Sequence, residues 1–312
     1  MHTKAKAIPK RRIHLRRFVP LYIMMLPGIV YLVINNYLPM FGLAMAFKDV
    51  NFAKGIWNSD WVGIKNFTYL FATSDAFIIT RNTLLYNAVF IVLGLGIAIA
   101  IAILLNEIRH KLAQRFYQSV IILPHLISII LVSYLVYALL SPETGLLNKT
   151  VLPMLGLEPI SWYLEPKYWP YILTLVHIWK GAGYSCIVFL AAMIGIDREY
   201  YEAAEIDGAS KWMQIRKITL PMITPIITML ALLAVGRIFY SDFGLFYQVP
   251  MNSGSLYSTT NVIDTYVFRG LMQLGNIGMS AAAGFYQSVV GFVLVLGSNY
   301  IVRKFNKENA LF

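Results

Sequence analysis

A chain of 312 residues that is 58% hydrophobic and 13% charged, with mean hydropathy +0.63, is not a water-soluble domain. Its net charge of +11 would suit a nucleic-acid binder, but the basic residues lie beside apolar runs long enough to cross a bilayer, which excludes that class and points to an integral membrane protein. The one cysteine, Cys186, sits in an apolar run, so a disulfide within the chain and a multi-cysteine metal site are excluded and a packing role is read.

The chain opens on a basic tail, residues 1–17, carrying Lys4, Lys6, Lys10, Arg11, Arg12, Arg16 and Arg17. A signal peptide would begin in the same way, and Ala44-Met-Ala46 has the small-x-small form of a cleavage site. The apolar run from Phe18 to Phe47 is too long for that, and it reads as a retained span. Six transmembrane helices are predicted, over 18–46, 83–106, 116–140, 170–196, 221–241 and 282–302, in an all-α membrane domain (18–302) followed by a short tail, 303–312. Pro27, Pro39 and Pro124 lie inside spans, where neighbours must re-satisfy the freed backbone groups.

Counting Lys and Arg orients the chain. One side holds the tail, Arg109, Lys111, Arg115, Arg198, Lys211, Arg216, Lys217, Arg303, Lys304 and Lys307; the other holds Lys48, Lys54, Lys65, Arg81, Lys149, Lys167 and Arg269. Seventeen against seven places both termini in the cytoplasm. The outer loops are then long. That at 47–82 is dense in aromatic residues (Trp57, Trp61, Phe67, Tyr69, Phe71), which suits a helix at the membrane interface. That at 141–169 is rich in turn residues and contains the sequon Asn148-Lys-Thr150; the third covers 242–281.

Between the fourth and fifth spans, residues 197–221 form a charged hairpin that hydrocarbon cannot accommodate, so it faces water or a partner protein. Asp197 is the expected N-cap, with Glu199 in the first turn favoured by the helix dipole. Asp207-Gly208 ends that helix. Ser210 caps a second helix carrying Trp212, Ile215, Arg216 and Lys217, and Pro221 opens the next span. The small pair Ala203-Ala204 admits a close neighbour. The plain alternative is a solvated loop without a special role.

Two polar clusters interrupt the spans. His177, Lys180 and Tyr184 fall at i, i+3 and i+7 of the fourth span, and Arg237, Tyr240 and Ser241 close the fifth beside Asp242. A lysine within an apolar run costs about 2.5–3.5 kcal/mol to insert. These residues are therefore candidates for a translocation path, with Tyr184, Tyr240 and Phe246 as sugar-stacking rings and the two cations matched to an acidic sugar. The competing reading is an internal ion pair of Lys180 or Arg237 with Asp242, or snorkelling to the interface. No phosphate-cradling G-x-x-x-x-G-K-[ST], no H-E-x-x-H, no Ser-His-Asp frame and no metal-ligand spacing occurs, so no catalytic residue is assigned and His125 is read as a packing residue.

The frame Glu202-Ala203-Ala204, Gly208, Ile218-x-Leu220-Pro221 resembles the EAA loop of membrane subunits of type I ABC importers at every fixed position. Leu38-Pro-Met-Phe-Gly-Leu-Ala-Met-Ala-Phe-Lys48, Trp61-Val-Gly-Ile-Lys-Asn-Phe67, Leu104-Leu-Asn-Glu107 and Val262-Ile-Asp-Thr-Tyr-Val267 resemble its carbohydrate branch, so the likeness covers nearly the whole chain. The resemblance implies a six-helix permease of a bacterial cell membrane, without enzymatic activity, that forms half of a pathway for an oligosaccharide. It implies that the hairpin couples to a separate ATPase: Glu202 orients the coupling helix, Gly208 makes the turn, Ala203 and Ala204 permit close packing, and Trp212 anchors the second short helix. It further implies a second, different permease, two ATPase copies holding ATP and Mg, and an extracytoplasmic solute-binding protein; this chain holds no cofactor of its own. The rivals are an ABC permease for a non-sugar solute, a secondary transporter, which would need intramembrane acidic groups or inverted repeats, and a membrane enzyme.

Overall fold

The computed structural model of the protein describes residues 15–51 and 53–305. Most of the two basic tails, with Lys4 to Arg12 and Lys307, lies outside the described residues. The first span begins at α1 (Leu15–Leu32) and continues through a π-helical turn (Val33–Tyr37) and a 3-10 segment (Leu38–Phe47) that starts on Pro39. The side chains of α1 from Phe18 onward are all exposed; only the 3-10 end docks, with Phe47 against Phe285 at 5.4 Å. A two-residue hairpin, β1 (Lys48–Asp49) with β2 (Asp60–Trp61), is followed by α2 (Lys65–Ala72), a short helix within the aromatic loop. Asn66 on α2 is buried and donates to the carbonyls of Ala46 and Lys48, which fixes the end of the first span.

The second span, α3 (Asp75–Asn106), starts earlier than hydropathy indicates. At 1.5 Å per residue its 32 residues extend about 48 Å, well beyond the hydrocarbon core. Its N-terminal end is polar, and Asn82 and Thr83 are buried against the segment of Asn261 and Ile263.

The third span is corrected. In place of one helix over 116–140 there are two, α4 (Lys111–Leu126) and α5 (Ile129–Leu140), bent by 93°. Pro124 removes one hydrogen bond of the last turn, and Ile127 and Ser128 are extended (ψ 131° and 141°). The described chain thus has five helices long and apolar enough to cross a membrane, or six if the bent pair is one span.

Beyond the short α6 (Leu152–Met154), α7 (Trp169–Ile194) is the hub. It packs along α3 on one side and α4 on another. A Cβ on Gly183 would overlap the backbone carbonyl of Ile121, so α4 and α7 cross with backbone in contact, whereas Gly181 faces open space. Gly183→Ala is therefore expected to destabilise the chain by about 1–3 kcal/mol, because a backbone cannot yield as a side chain does. Thermal unfolding in detergent should show a lowered midpoint for it and a near-native midpoint for Gly181→Ala.

The chain then forms α8 (Arg198–Ile206), α9 (Lys211–Gln214) and α10 (Leu220–Val235), joined to α9 by a π-helical turn (Ile215–Thr219). Three short helices, α11 (Phe243–Gln248), α12 (Tyr257–Thr260) and α13 (Ile263–Met272), fill the connection from α10 to the last span, α14 (Ile277–Phe305). Two of the buried apolar clusters lie along α7: Tyr86, Phe90, Trp169, Leu173 and Phe246 towards its N-terminal end, and Ala98, Ala102, Cys186, Phe189 and Met193 towards its C-terminal end and the hairpin. Cys186 is fully buried there, as a packing residue.

Candidate functional site: a mid-span cavity and a charged hairpin

Between those two cores lies a cavity of about 570 Å³. Asn87, Phe90 and Gly94 of α3, His177, Gly181 and Ser185 of α7, and the segment Arg237, Tyr240, Ser241 and Asp242 after α10 all line it. His177, Gly181 and Ser185 recur at i, i+4 and i+8, one face of α7. The His177 ring stacks flat on Phe90, centroids 3.8 Å apart and planes 7° apart.

Five predicted pathway residues thus meet: His177, Arg237, Tyr240, Ser241 and Asp242. Lys180 and Tyr184 do not line the cavity. They point from the adjoining flank of α7 to the broken span, where the Lys180 ammonium donates to the carbonyls of Pro124 (3.4 Å), His125 (3.1 Å) and Ile127, and Tyr184 stacks on His125 at 4.9 Å. Phe246 is buried behind Phe90, against Tyr86. The competing reading, an ion pair with Asp242, is not met: among the described residues no ion pair involves Asp242, Lys180 or Arg237, and Asp242 instead caps α11 through the Leu245 N–H.

The cavity wall after α10 is held by residues the sequence reading missed. Asn87 donates to the carbonyls of Ile238 (2.9 Å) and Tyr240 (3.1 Å), and Gln287 of α14 donates to that of Phe239 (2.8 Å). Asp264 of α13 accepts from the Ser241 N–H (2.8 Å) and from Gln287 (3.1 Å). Burial pushes the Asp264 carboxyl above its ordinary range, against the pull of these two donors. The available signal was an amide side chain within an apolar run, as at Asn87 and Gln287, since such groups must find backbone partners.

The hairpin forms as its sequence dictates. Asp197 accepts from the Glu199 N–H and Ser210 from the Met213 N–H, the two expected caps. At Gly208, φ is +76°, the Gly208 N–H reaches the Glu205 carbonyl, and the Ala209 N–H reaches that of Ala204. These are the two bonds of a Schellman ending, which needs a left-handed residue. The ion pair within the loop belongs to Glu205 and Lys211 (2.7 Å), not to Glu202. That pairing, with Arg109 of the preceding turn nearby, holds the Glu205 carboxyl below its ordinary range. Tyr201 and Thr219 share a hydrogen bond of 2.9 Å that ties α8 to the base of α10. Trp212 does not anchor α9 within the chain: it is 70% exposed, and Ile206 is 87% exposed. Ala203, Gly208 and Pro221 are exposed, while Ala204, Ile218 and Leu220 are half-buried.

The family model for binding-protein-dependent transport system inner membrane components matches residues 91–307, which include the hairpin and almost all of the cavity lining. The chain belongs to this family. It is a permease, the membrane component of an ABC importer. Protein LplB of Bacillus subtilis is 36% identical, over 94% of this chain and 92% of that protein. The polygalacturonan/rhamnogalacturonan transport system permease protein YteP of the same organism is 34% identical, over 92% and 89%. Among solved structures, a bacterial ABC transporter involved in the import of the acidic polysaccharide alginate superposes with a TM-score of 0.85 at 34% identity, covering 94% of this permease and 98% of that chain. The alginate transporter in complex with alginate pentasaccharide-bound periplasmic protein matches with a TM-score of 0.84.

Proposed function

We propose that this permease contributes half of the translocation path for an oligosaccharide bearing carboxylates, and that the mid-span cavity is its share of that path. The observation that carries the reading is Arg237: an exposed guanidinium on the cavity wall, without an ion-pair partner among the described residues, beside Tyr240 and the stacked Phe90–His177 pair. A fork of N–H donors beside ring faces fits a chain of acidic sugars. The polygalacturonan/rhamnogalacturonan and alginate for which the relatives are named support the same class.

The exposed row of Tyr200, Ile206, Trp212 and Met213 on the hairpin is an apolar docking face for a separate ATPase, which holds the ATP and Mg. Glu202 and Ala203, exposed beside that row, meet the ATPase. A second, different permease closes the path, two ATPase copies drive it, an extracytoplasmic binding protein delivers cargo, and lipid covers the rest. Both termini and the hairpin face the cytoplasm. The alternation of spans supports that orientation by gathering the hairpin, Arg109 and Lys111 at one end.

The test is tagged purification from the native cell in mild detergent, with mass spectrometry of what accompanies the chain. An ATPase and a second permease are expected. In the reconstituted complex, ATP hydrolysis should rise with oligouronates and their loaded binding protein, and not with neutral oligosaccharides of equal length. A chain that purifies alone, stable and monodisperse, would sink the coupling reading, and equal stimulation by neutral sugars would sink the acidic one.

A further inference from the structure

The broken span leaves carbonyls without a partner in either of its helices. The last turn of α4 directs those of Pro124, His125 and Ile127 away from the helix, and the backbone turns before α5 can take them up. Only Pro124 is met locally, by a long bond from the Ile127 N–H (3.3 Å). In hydrocarbon such groups need a protein partner. All three are met by one side chain, Lys180, whose ammonium has three N–H donors and carries its charge to the negative end of the α4 dipole.

The surrounding contacts form one junction. Gly183, three residues on, admits the α4 backbone at Ile121, and Tyr184, four residues on, stacks on His125. On the far side of the bend, Ile129 opens α5 and lies directly on Gly244 of α11, where a Cβ would meet its methyl at 2.9 Å. The cap of α11 is Asp242, which lines the cavity. A continuous row of contacts thus runs from Lys180 through the bend and Ile129 to the cavity wall.

The geometry points to Lys180 as a positioning residue that fixes the angle of the broken span and, through Ile129 and Gly244, the place of Asp242 in the cavity, without touching cargo. A cation is required because it meets three carbonyls at a helix C-terminus, where an apolar side chain would leave those of His125 and Ile127 bare and a neutral amide would meet at most two of the three. The inference rests on the transport reading only for its uptake measurement; the angle is read independently.

The experiment uses the whole complex in lipid, with spin labels at Tyr117→Cys on α4 and Tyr134→Cys on α5, both exposed positions, in a Cys186→Ala background. Pulsed dipolar spectroscopy gives the distance across the bend. Wild type and Lys180→Arg should give one narrow distance. Lys180→Met and Lys180→Gln should give a broadened or displaced one, with uptake reduced tenfold or more. If Lys180→Met fails to assemble, Lys180→Gln against Lys180→Arg decides. A narrow, unshifted distance in the neutral variants overturns the inference: with uptake lost, Lys180 acts on cargo instead; with uptake normal, the bend needs no cation.

Discussion

Gly208→Pro is expected to strip the ATPase from the purified complex while leaving the two permeases together. Gly208 sits at φ +76°, and proline is confined near −65°, so the substitution cannot be absorbed without moving the chain on both sides. It also removes the N–H that donates to the Glu205 carbonyl and displaces Ala209, whose N–H closes the second bond of the helix ending. The cost is at least the ~3 kcal/mol of a misplaced proline. It falls on α8 and α9, which are short and tied to the base of α10 through the Tyr201–Thr219 hydrogen bond. The spans, with cores of their own, should persist. Co-purification followed by mass spectrometry reads the result, and full retention of the ATPase would mean that the face carrying Ile206 and Trp212 is not where it docks. Gly208→Ala, confined to left-handed backbone strain of about 1–2 kcal/mol, should weaken but not abolish the association.

Arg237→Met is expected to lower uptake of acidic oligosaccharides about 10–100-fold with assembly intact. The side chain lies on the cavity wall after α10 and makes no hydrogen bond or ion pair among the described residues, so its removal unseats nothing else in the chain. A hydrogen bond to a charged group contributes about 1.5–3 kcal/mol, and tenfold corresponds to about 1.4 kcal/mol, which sets that range. Neutral oligosaccharides, where transported at all, should be unaffected. Normal uptake of acidic cargo would remove Arg237 from the path. Asp264→Leu is the structural counterpart: it bares the Ser241 N–H, takes one of the two partners of the Gln287 amide and should lower both assembly and uptake for every cargo.

The hairpin was legible because each of its features is local. An N-cap needs only its own carboxylate or hydroxyl and an N–H two or three residues on, and a helix ending needs only glycine at one position. Asp197, Ser210 and Gly208 therefore behave as read. The cavity was legible in part. His177 and the group Arg237, Tyr240, Ser241 and Asp242 were singled out as polar interruptions of apolar runs, and they converge. Their counterparts Asn87, Asp264 and Gln287 went unread because each bonds backbone more than 20 residues away: an amide in an apolar run announces the need for a partner at Asn87 and Gln287, but not which partner. The face of α7 was misdivided for a related reason. Spacing i, i+3, i+7 puts His177, Lys180 and Tyr184 on one broad stripe, but α3 and α4 approach from different sides and split it.

By itself the sequence determined that this is a membrane chain, about how many times it crosses, which loops gather positive charge, and where the charged hairpin stands. Hydropathy, charge counting and capping depend on composition within a few turns of helix, and those are fixed before any two spans meet. Only the tertiary structure decided that the third span breaks at Ile127 and Ser128, that Lys180 belongs to that break and not to the cavity, and which side chains enclose the cavity. Each of these turns on how closely two backbones approach. At Gly183 that approach is set by the absence of a single methyl group between α7 and α4.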